Sequence, residues 1–350
     1  MKRRIDLRSD TVTLPTESMR RAMYEAEVGD DVWGEDPTVK RLQEMAAERM
    51  GKEAALFVAS GTMGNLVSLL AHCKRGDEVI MGSECHIFHY EVGAAGVFGG
   101  LVYRTVPTTR FGELPLEEIA AAVRPPNVHF PPSGLICLEN THNRCGGTVI
   151  TPQYMAQVRE LADQHHLPIH LDGARIFNAA LALGVEARDI ARYADSVMFC
   201  LSKGLSAPVG SLVCGPSEWV QRAHRMRKMV GGAMRQVGVI AAAGIVALTE
   251  MVERLAEDHD NARVLAEGLA SLPGLAVDLE TVQTNMVMFY PTDPRWTTET
   301  LNAALNAEGI LTSYLGRTKI RAVTHYGITR EDIDEALTRI ADVVRKGPAA

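Results

Sequence analysis

One lysine interrupts an apolar stretch. In "FCLSKGLSAPVG", residues 199–210, Lys203 follows the strand-like run 196–201 and precedes small residues and a proline. A lysine is rarely fully buried without a partner, so its amine either snorkels to water or serves chemistry. An acid lies 31 residues earlier: in "PIHLDGAR", Asp172 ends an apolar strand ahead of a Gly-Ala turn. Taken alone, Asp172 reads as an N-cap for the helix that begins "RIFNAALA", and the two residues together as a structural salt bridge. Both nevertheless stand at strand ends, where α/β folds place functional groups. Lysine amines form Schiff bases, and a lysine paired with an acid on a pyridine nitrogen is the signature of pyridoxal phosphate.

A third handle is "VASGTMGN", residues 58–65, where Ser60, Gly61 and Thr62 join a strand to a helix start. Free N–H groups at a helix N-terminus, with small residues allowing close approach, make an anion site. The segment fits neither the Walker loop nor GxGxxG, and by itself reads as a plain turn. Beside Lys203 and Asp172 it completes a set for phosphate, aldehyde and ring nitrogen. "GSECHIFHYEVGA" adds His86, His89, Tyr90 and Glu91. The His86 ring can stack on a pyridine, whereas a metal reading of His86 and His89 lacks further ligands at suitable spacing. His165, His166 and His170 read as helix-end solvation and core.

Arginines supply the complementary charge. Arg175 follows Asp172 closely, Arg321 sits in the strand-like "TKIRAVTH", and Arg8 lies in "DLRSDTVT". A guanidinium fork binds a carboxylate bidentately, as an amino acid substrate requires; the plain alternative is a surface ion pair worth under about 1 kcal/mol. Lys228 and Arg235 flank a Gly-Gly turn in "RAHRMRKMVGGAMRQ", within reach of an anion.

The elements that hold these groups alternate. Asp36, Pro37 and Gly51 punctuate one helix, with Val39, Leu42, Met45 and Met50 as its apolar face. Strand-like runs cover 54–59, 77–81, 134–140, 168–174, 196–202 and 210–215. Several are continuously apolar, as expected of strands covered on both faces. The fold class is α/β: a large domain with a mostly parallel central sheet, residues 1–250, and a small C-terminal α+β domain, residues 251–350. A helix running through Ala241–Leu272 joins them. The chain has 350 residues, 46% hydrophobic and 23% charged, with a formal net charge of -7, which argues against nucleic acid. Six scattered cysteines without a CxxC pair read as free thiols in a reducing, cytoplasmic compartment. The N-terminus lacks an apolar core for a signal peptide. The run Val237–Leu248 falls well short of the roughly 20 residues that span a bilayer.

Long stretches carry a family resemblance: "DLRSDTVT", "EVGDDVWGEDPT", "EAALFVASGTMGN", "ENTHNRCGG", "HLDGARIFNA", "DSVMFCLSKGL", "RKMVGGAMRQ" and "LAEDHDNA". Over nearly its whole length the chain resembles the low-specificity L-threonine aldolases, pyridoxal-phosphate enzymes of the aspartate aminotransferase fold. The resemblance implies that Lys203 carries the cofactor as a Schiff base and that Asp172 holds its ring nitrogen. It implies a phosphate cradle at Gly61 and Thr62 beside Ser60, and His86 on the ring near the substrate hydroxyl. Ser9, Arg175 and Arg321 match groups that hold the substrate carboxylate, and His129 matches a second histidine near the hydroxyl. Lys228 and Arg235 match residues reaching the site across a subunit interface of a homo-oligomer, a tetramer.

The implied reaction is retro-aldol cleavage of L-threonine and L-allo-threonine to glycine and acetaldehyde, with His86, His129 or a water as base. Two histidines and small polar groups offer no shaped wall at Cβ, so control there should be loose. A β-eliminating lyase or aminotransferase on the same fold, and a non-catalytic binding protein, are the competing readings.

Overall fold

The computed structural model describes residues 3–315 and 318–348. Its strands, in chain order, are β1 Ile5–Asp6, β2 Ala54–Val58, β3 Glu78–Gly82, β4 Val102–Val106, β5 Ser133–Glu139, β6 Ile169–Asp172, β7 Ser196–Cys200, β8 Ser211–Gly215, β9 Leu275–Val277, β10 Met286–Pro291, β11 Ile310–Leu311, β12 Ser313–Leu315 and β13 Lys319–Val323.

Seven of them form the central sheet, in the order β2-β8-β7-β6-β5-β3-β4. Only β8 runs antiparallel to its neighbours, β2 and β7. Helices cover both faces, so β3, β6, β7 and β8 are buried throughout. The sequence reading missed β4. Its segment "VYRTV" carries an arginine and a threonine and lies at the sheet's edge, exposed or half-buried at four of its five residues, so it lacks the apolar run that marks the others.

The parallel strands β3, β5, β6 and β7 end on one side, and there the chemistry-bearing residues collect. The helix Pro37–Met50 starts as expected: Asp36 Oδ1 accepts from Val39 N–H at 3.0 Å, Pro37 opens the first turn and Gly51 closes the helix. Asp36 also fastens the next layer, since its Oδ2 accepts from Gly238 N–H at 2.9 Å. The apolar run 237–248 becomes the helix Gly238–Glu250, set against that first helix. Gly244 permits the contact, because a Cβ there would stand 2.7 Å from Leu201 and 2.9 Å from Leu42. Among the described residues no helix is long and apolar enough to cross a membrane.

The expected continuous helix 241–272 is two helices, Gly238–Glu250 and Leu255–Ser271. The Thr249 hydroxyl donates back to Ile245 O at 3.1 Å and Val246 O at 3.2 Å, competing with the helical ladder one turn before the break. Beyond it, β9, β10, β12 and β13 form a four-stranded antiparallel sheet, order β12-β13-β10-β9, covered by helices. Phe289, Ile320, Leu265 and Ile333 anchor its core. Ile5 and Leu7 also lie in this core, since β1 pairs parallel with β11. The N-terminal arm, grouped with the large unit in the sequence, therefore packs its apolar residues into the C-terminal layer before the chain reaches Ser9 and Asp10.

Candidate active site

A cavity of about 270 Å³ opens at the carboxyl ends of the parallel strands, between the sheet, the N-terminal arm and β12–β13. Ser9, Thr11, His86, Tyr90, Asn143, Arg175, Lys203, Leu315 and Arg321 line it. A larger cavity, about 650 Å³ at Leu272–Gly274 and Val344, is lined in the small unit far along the chain from these groups.

Lys203 is half-buried on the loop after β7, and among the described residues it forms no ion pair. The salt-bridge alternative is thereby removed. Asp172 ends β6, opposite Met198 of β7, and is 2% exposed. It does not cap the next helix. Its Oδ1 accepts from Ala174 N–H at 3.1 Å, and its Oδ2 from Asn65 Nδ2 at 2.9 Å. Asn65 belongs to the helix Gly61–His72 that Ser60 caps by accepting from Met63 N–H at 3.1 Å. Ser60, Gly61 and Thr62 thus form the helix N-terminus one turn from Asn65, outside the residues lining the cavity itself. Gly61 must be glycine, since a Cβ would stand 2.9 Å from Cys200 Sγ. The first-turn amides of Gly61 and Thr62 have no helical carbonyl to serve and remain available to an anion.

His86 opens a short helix after β3. Its backbone N–H donates to Glu139 Oε2 at 2.6 Å, and its ring Nδ1 lies 2.9 Å from Glu91 Oε1. Burial opposes a charge on this ring. The Glu91 hydrogen bond and the Asp172 and Glu91 charges oppose that effect, and the histidine pKa is raised above its usual value. Burial, with Asp172 nearby, raises Glu91 as well. His86 and Glu91 therefore hold a proton between them more readily than either would in water.

The arginines are differently employed. Arg175 spends its fork on Asp10, with Nε to Oδ2 at 2.6 Å and Nη2 to Oδ1 at 2.7 Å. Asp10 is fully buried, which alone would raise its pKa. Arg175, helped by Lys203 and Arg321, instead holds it far below the usual carboxylate range. Arg321 has only neutral acceptors: Nη1 donates to Asn143 Oδ1 at 2.6 Å and Nη2 to Arg8 O at 3.1 Å, while its buried Nε has no partner. Burial and the nearby Arg175 lower its pKa. The charges of Arg175, Lys203 and Arg321 thus all act on the one carboxylate of Asp10, and no acid is among the residues lining the cavity.

The Beta-eliminating lyase family profile matches residues 6–292. The chain is 48% identical over 340 residues to the low-specificity L-threonine aldolase 1 of Arabidopsis thaliana, covering 96% of this chain and 95% of that protein. It is 45% identical over 331 residues to the low specificity L-threonine aldolase of Escherichia coli (strain K12), covering 95% and 96%. The chain belongs to the low-specificity L-threonine aldolases of the beta-eliminating lyase family. A threonine aldolase structure from Leishmania major matches the fold with a TM-score of 0.83 at 19% identity, covering 97% of this chain and 99% of that one. A serine palmitoyltransferase from Sphingomonas wittichii does so at 0.78 and 17%, covering 98% and 88%.

Lys203 lines the cavity, and Asn65 ties the strand-end acid Asp172 to the helix that begins at Ser60–Thr62. The donor set fits pyridoxal phosphate: Asp172 for the ring nitrogen, Lys203 for the aldehyde, and the glycine-lined turn Ser60–Thr62 for the phosphate.

For a threonine aldolase chain, several placements differ from the sequence expectation. His129 is not brought to the cavity. It stands exposed on a segment bracketed by Pro125–Pro126 and Pro131–Pro132, which belongs to neither sheet nor helix, with its backbone N–H on Asn127 Oδ1 at 2.9 Å. Arg8 turns its fork onto Asp6, at 2.9 Å and 2.6 Å, and reaches the site only through its carbonyl. Lys228 is exposed, and Arg235 is exposed and pairs with Asp30 at 2.8 Å, so neither meets this chain's own cavity. Immediately before Lys228, Arg227 is fully buried and bonds Asp31 at 2.6 Å and Phe57 O at 2.7 Å. Asp10, Asn65, Glu139 and Asn143 were missed. Asn65 had a signal, a lone amide within the apolar helix "GTMGNLVSLL"; Asp10 in "RSDT" had none.

Proposed function

We propose that this chain cleaves L-threonine and L-allo-threonine between Cα and Cβ, giving glycine and acetaldehyde, with pyridoxal phosphate held covalently by Lys203. The observation that carries the reading is the unbalanced cation pair. Arg321, bonded only to neutral oxygens beside Arg175, calls for a carboxylate, and an α-amino acid supplies one.

The arm and β13 present Ser9 and Arg321 to that carboxylate. Arg175 is held in place by Asp10, with Nη1 left over to assist. Pinning the carboxylate fixes rotation about the Cα bonds, so the L-configuration is selected and Cβ is turned toward His86. The ring Nδ1 is engaged by Glu91, which leaves Nε2 to take the β-hydroxyl proton. As the O–H proton leaves, the hydroxyl carbon becomes the aldehyde carbon, and the Cα–Cβ electron pair stays with Cα. When bound, pyridoxal phosphate supplies the electron sink for that pair. Asp172 keeps the ring nitrogen protonated, and Cα then accepts a proton to become glycine. Tyr90, whose hydroxyl accepts from Arg144 Nη1 at 2.8 Å, is the large side chain near the departing aldehyde.

Lys228 and Arg235 serve the site of a neighbouring copy in a homotetramer, and the chain works in the cytoplasm. Exposed Trp33, Val92, Val97 and Phe98 supply apolar surface for such contacts.

The test is cofactor-loaded protein offered L-threonine, L-allo-threonine and D-threonine, with glycine and acetaldehyde both measured. Cleavage of the two L-epimers and not of D-threonine is expected. Amino transfer to a keto acid without aldehyde release would overturn the reading.

A further inference from the structure

Behind His86 runs a buried chain of neutral hydrogen-bonding groups that the reaction does not itself use. His72 Nε2 lies 2.7 Å from Ser196 Oγ, and Ser196 Oγ 2.8 Å from His170 Nδ1. His170 Nε2 lies 3.1 Å from Asn65 Oδ1. Asn65 Nδ2 then donates to two acids, Glu91 Oε1 at 2.7 Å and Asp172 Oδ2 at 2.9 Å. Asn65, His170 and Ser196 are each at most 1% exposed.

The partners leave one consistent assignment. An amide nitrogen between two carboxylates donates to both, so the amide oxygen faces His170 and accepts from Nε2–H. His170 then carries a lone pair on Nδ1 and accepts from the Ser196 hydroxyl, whose oxygen accepts from His72 Nε2–H. Burial lowers the pKa of His170 to about 4 and of His72 to about 3, consistent with two neutral rings. Every donor in the chain points toward Glu91 and Asp172, and no charge is added. An amide cannot pass a proton along such a row, so the chain is an anchor rather than a conduit.

We propose that Asn65 is a positioning residue that keeps apart the two acids of the site, Asp172 for the cofactor nitrogen and Glu91 for His86. Ligand atoms of His86, Glu91 and Asp172 all lie within 4.8 Å of one another. Two carboxylates that close share a proton when nothing separates them, and neither then keeps a full charge. The Asn65 amide occupies the position between them and gives each an N–H. Asp172 stays charged for the ring nitrogen, and Glu91 stays an acceptor for His86 Nδ1–H. The free lone pair of His86 is thereby fixed on Nε2. Without the amide, a proton shared on Glu91 would be donated to His86 Nδ1, and the ring would switch to the Nε2–H form, which cannot take a proton from the substrate.

The inference rests on the aldolase reading, and the experiment separates the two. Asn65→Leu and Asn65→Ala are compared with the wild type. In the cofactor-free chain, ¹⁵N-histidine NMR at alkaline pH reads the tautomer of His86, assigned with the spectrum of His86→Asn. Wild type should show the Nδ1–H form and the Asn65 variants a large share of Nε2–H. In the loaded enzyme kcat should fall roughly 10- to 100-fold, the loss of one hydrogen bond to a charged group. KM for threonine should stay within about threefold, because Arg321 and Arg175 are untouched. A merely structural role would leave the His86 tautomer unchanged. Ser196→Ala, which removes one buried hydroxyl two links away, covers failure of the Asn65 variants to fold. It loosens the His170 anchor and should lower kcat by about threefold to tenfold with the same NMR trend. Unchanged kcat and unchanged His86 signals in the folded variants would overturn the inference. A wild type that cleaves no threonine would instead sink the aldolase reading and leave the NMR comparison intact.

Discussion

Removing Arg321 should cost the enzyme its substrate and almost nothing else. The guanidinium donates to Asn143 Oδ1 at 2.6 Å and to Arg8 O at 3.1 Å, both neutral, and leaves Nε unpaired. A substrate carboxylate on that fork would accept two charge-assisted hydrogen bonds, each worth about 1.5–3 kcal/mol. Arg175 remains in Arg321→Leu and recovers part of the loss, so about 3–4 kcal/mol is the expected deficit. That is a fall in kcat/KM on the order of 10²–10³. Stability should move little. The two lost hydrogen bonds contribute about 1 kcal/mol each, and removing a charge penalised by burial and by Arg175 offsets them. The melting temperature should stay within roughly 5 °C. Cofactor affinity should be unchanged, since the Ser60–Thr62 turn and Asp172 are not touched by Arg321. Arg321→Lys should not rescue, lacking the planar fork. The assay couples acetaldehyde release to its enzymatic reduction, with cofactor binding followed by absorbance. A variant with kcat/KM within tenfold of wild type, or one that binds threonine normally and loses the cofactor, would refute the reasoning.

Lys203→Ala should lose turnover and hold the cofactor only non-covalently; borohydride reduction and peptide mapping of the wild type should label Lys203, and label on another lysine would sink the assignment. Asp172→Asn should slow the rate on the order of 10²–10³ or more, the consequence of losing about 3–5 kcal/mol of buried charge pairing, and a near-normal rate would remove its role. Since Glu91 and Asp172 raise the pKa of His86, its proton-accepting form is lost as pH falls through a value above the usual 6.5. The acid limb of kcat/KM should therefore lie above that value and move down in Glu91→Gln; a limb that stays in place would show that another group is the base. Sedimentation should find a tetramer, and a fully active monomer would exclude a site completed by Lys228 and Arg235.

The residues proposed for covalent or ionic chemistry were legible because each breaks a local pattern. Lys203 is a charge after an apolar strand, Asp172 an acid at a strand end, and Ser60–Thr62 a run of small residues between strand and helix. Buried parallel strands declared themselves by continuous apolarity, and the helix Pro37–Met50 by its capping residues, since both signals are local in the chain. Edge strand β4 and the break at residues 251–254 were not legible. The edge strand is only partly covered, and the break falls in a stretch without glycine or proline to mark it. What Arg175 does was decided only in three dimensions. A guanidinium in the sequence shows its charge but not its partner, and Asp10 lies 165 positions away. The same holds for Asn65, which meets Glu91 across 26 positions and Asp172 across 107. His129 shows the converse: a residue type suited to chemistry that the prolines around it leave exposed on a loop. Residue type and spacing thus determined which groups could react. Which of them share a buried volume, and hence which charge is neutralised and which left wanting, was decided by the packing of segments far apart in the chain, because burial is a property of the assembled layers and not of any stretch of sequence.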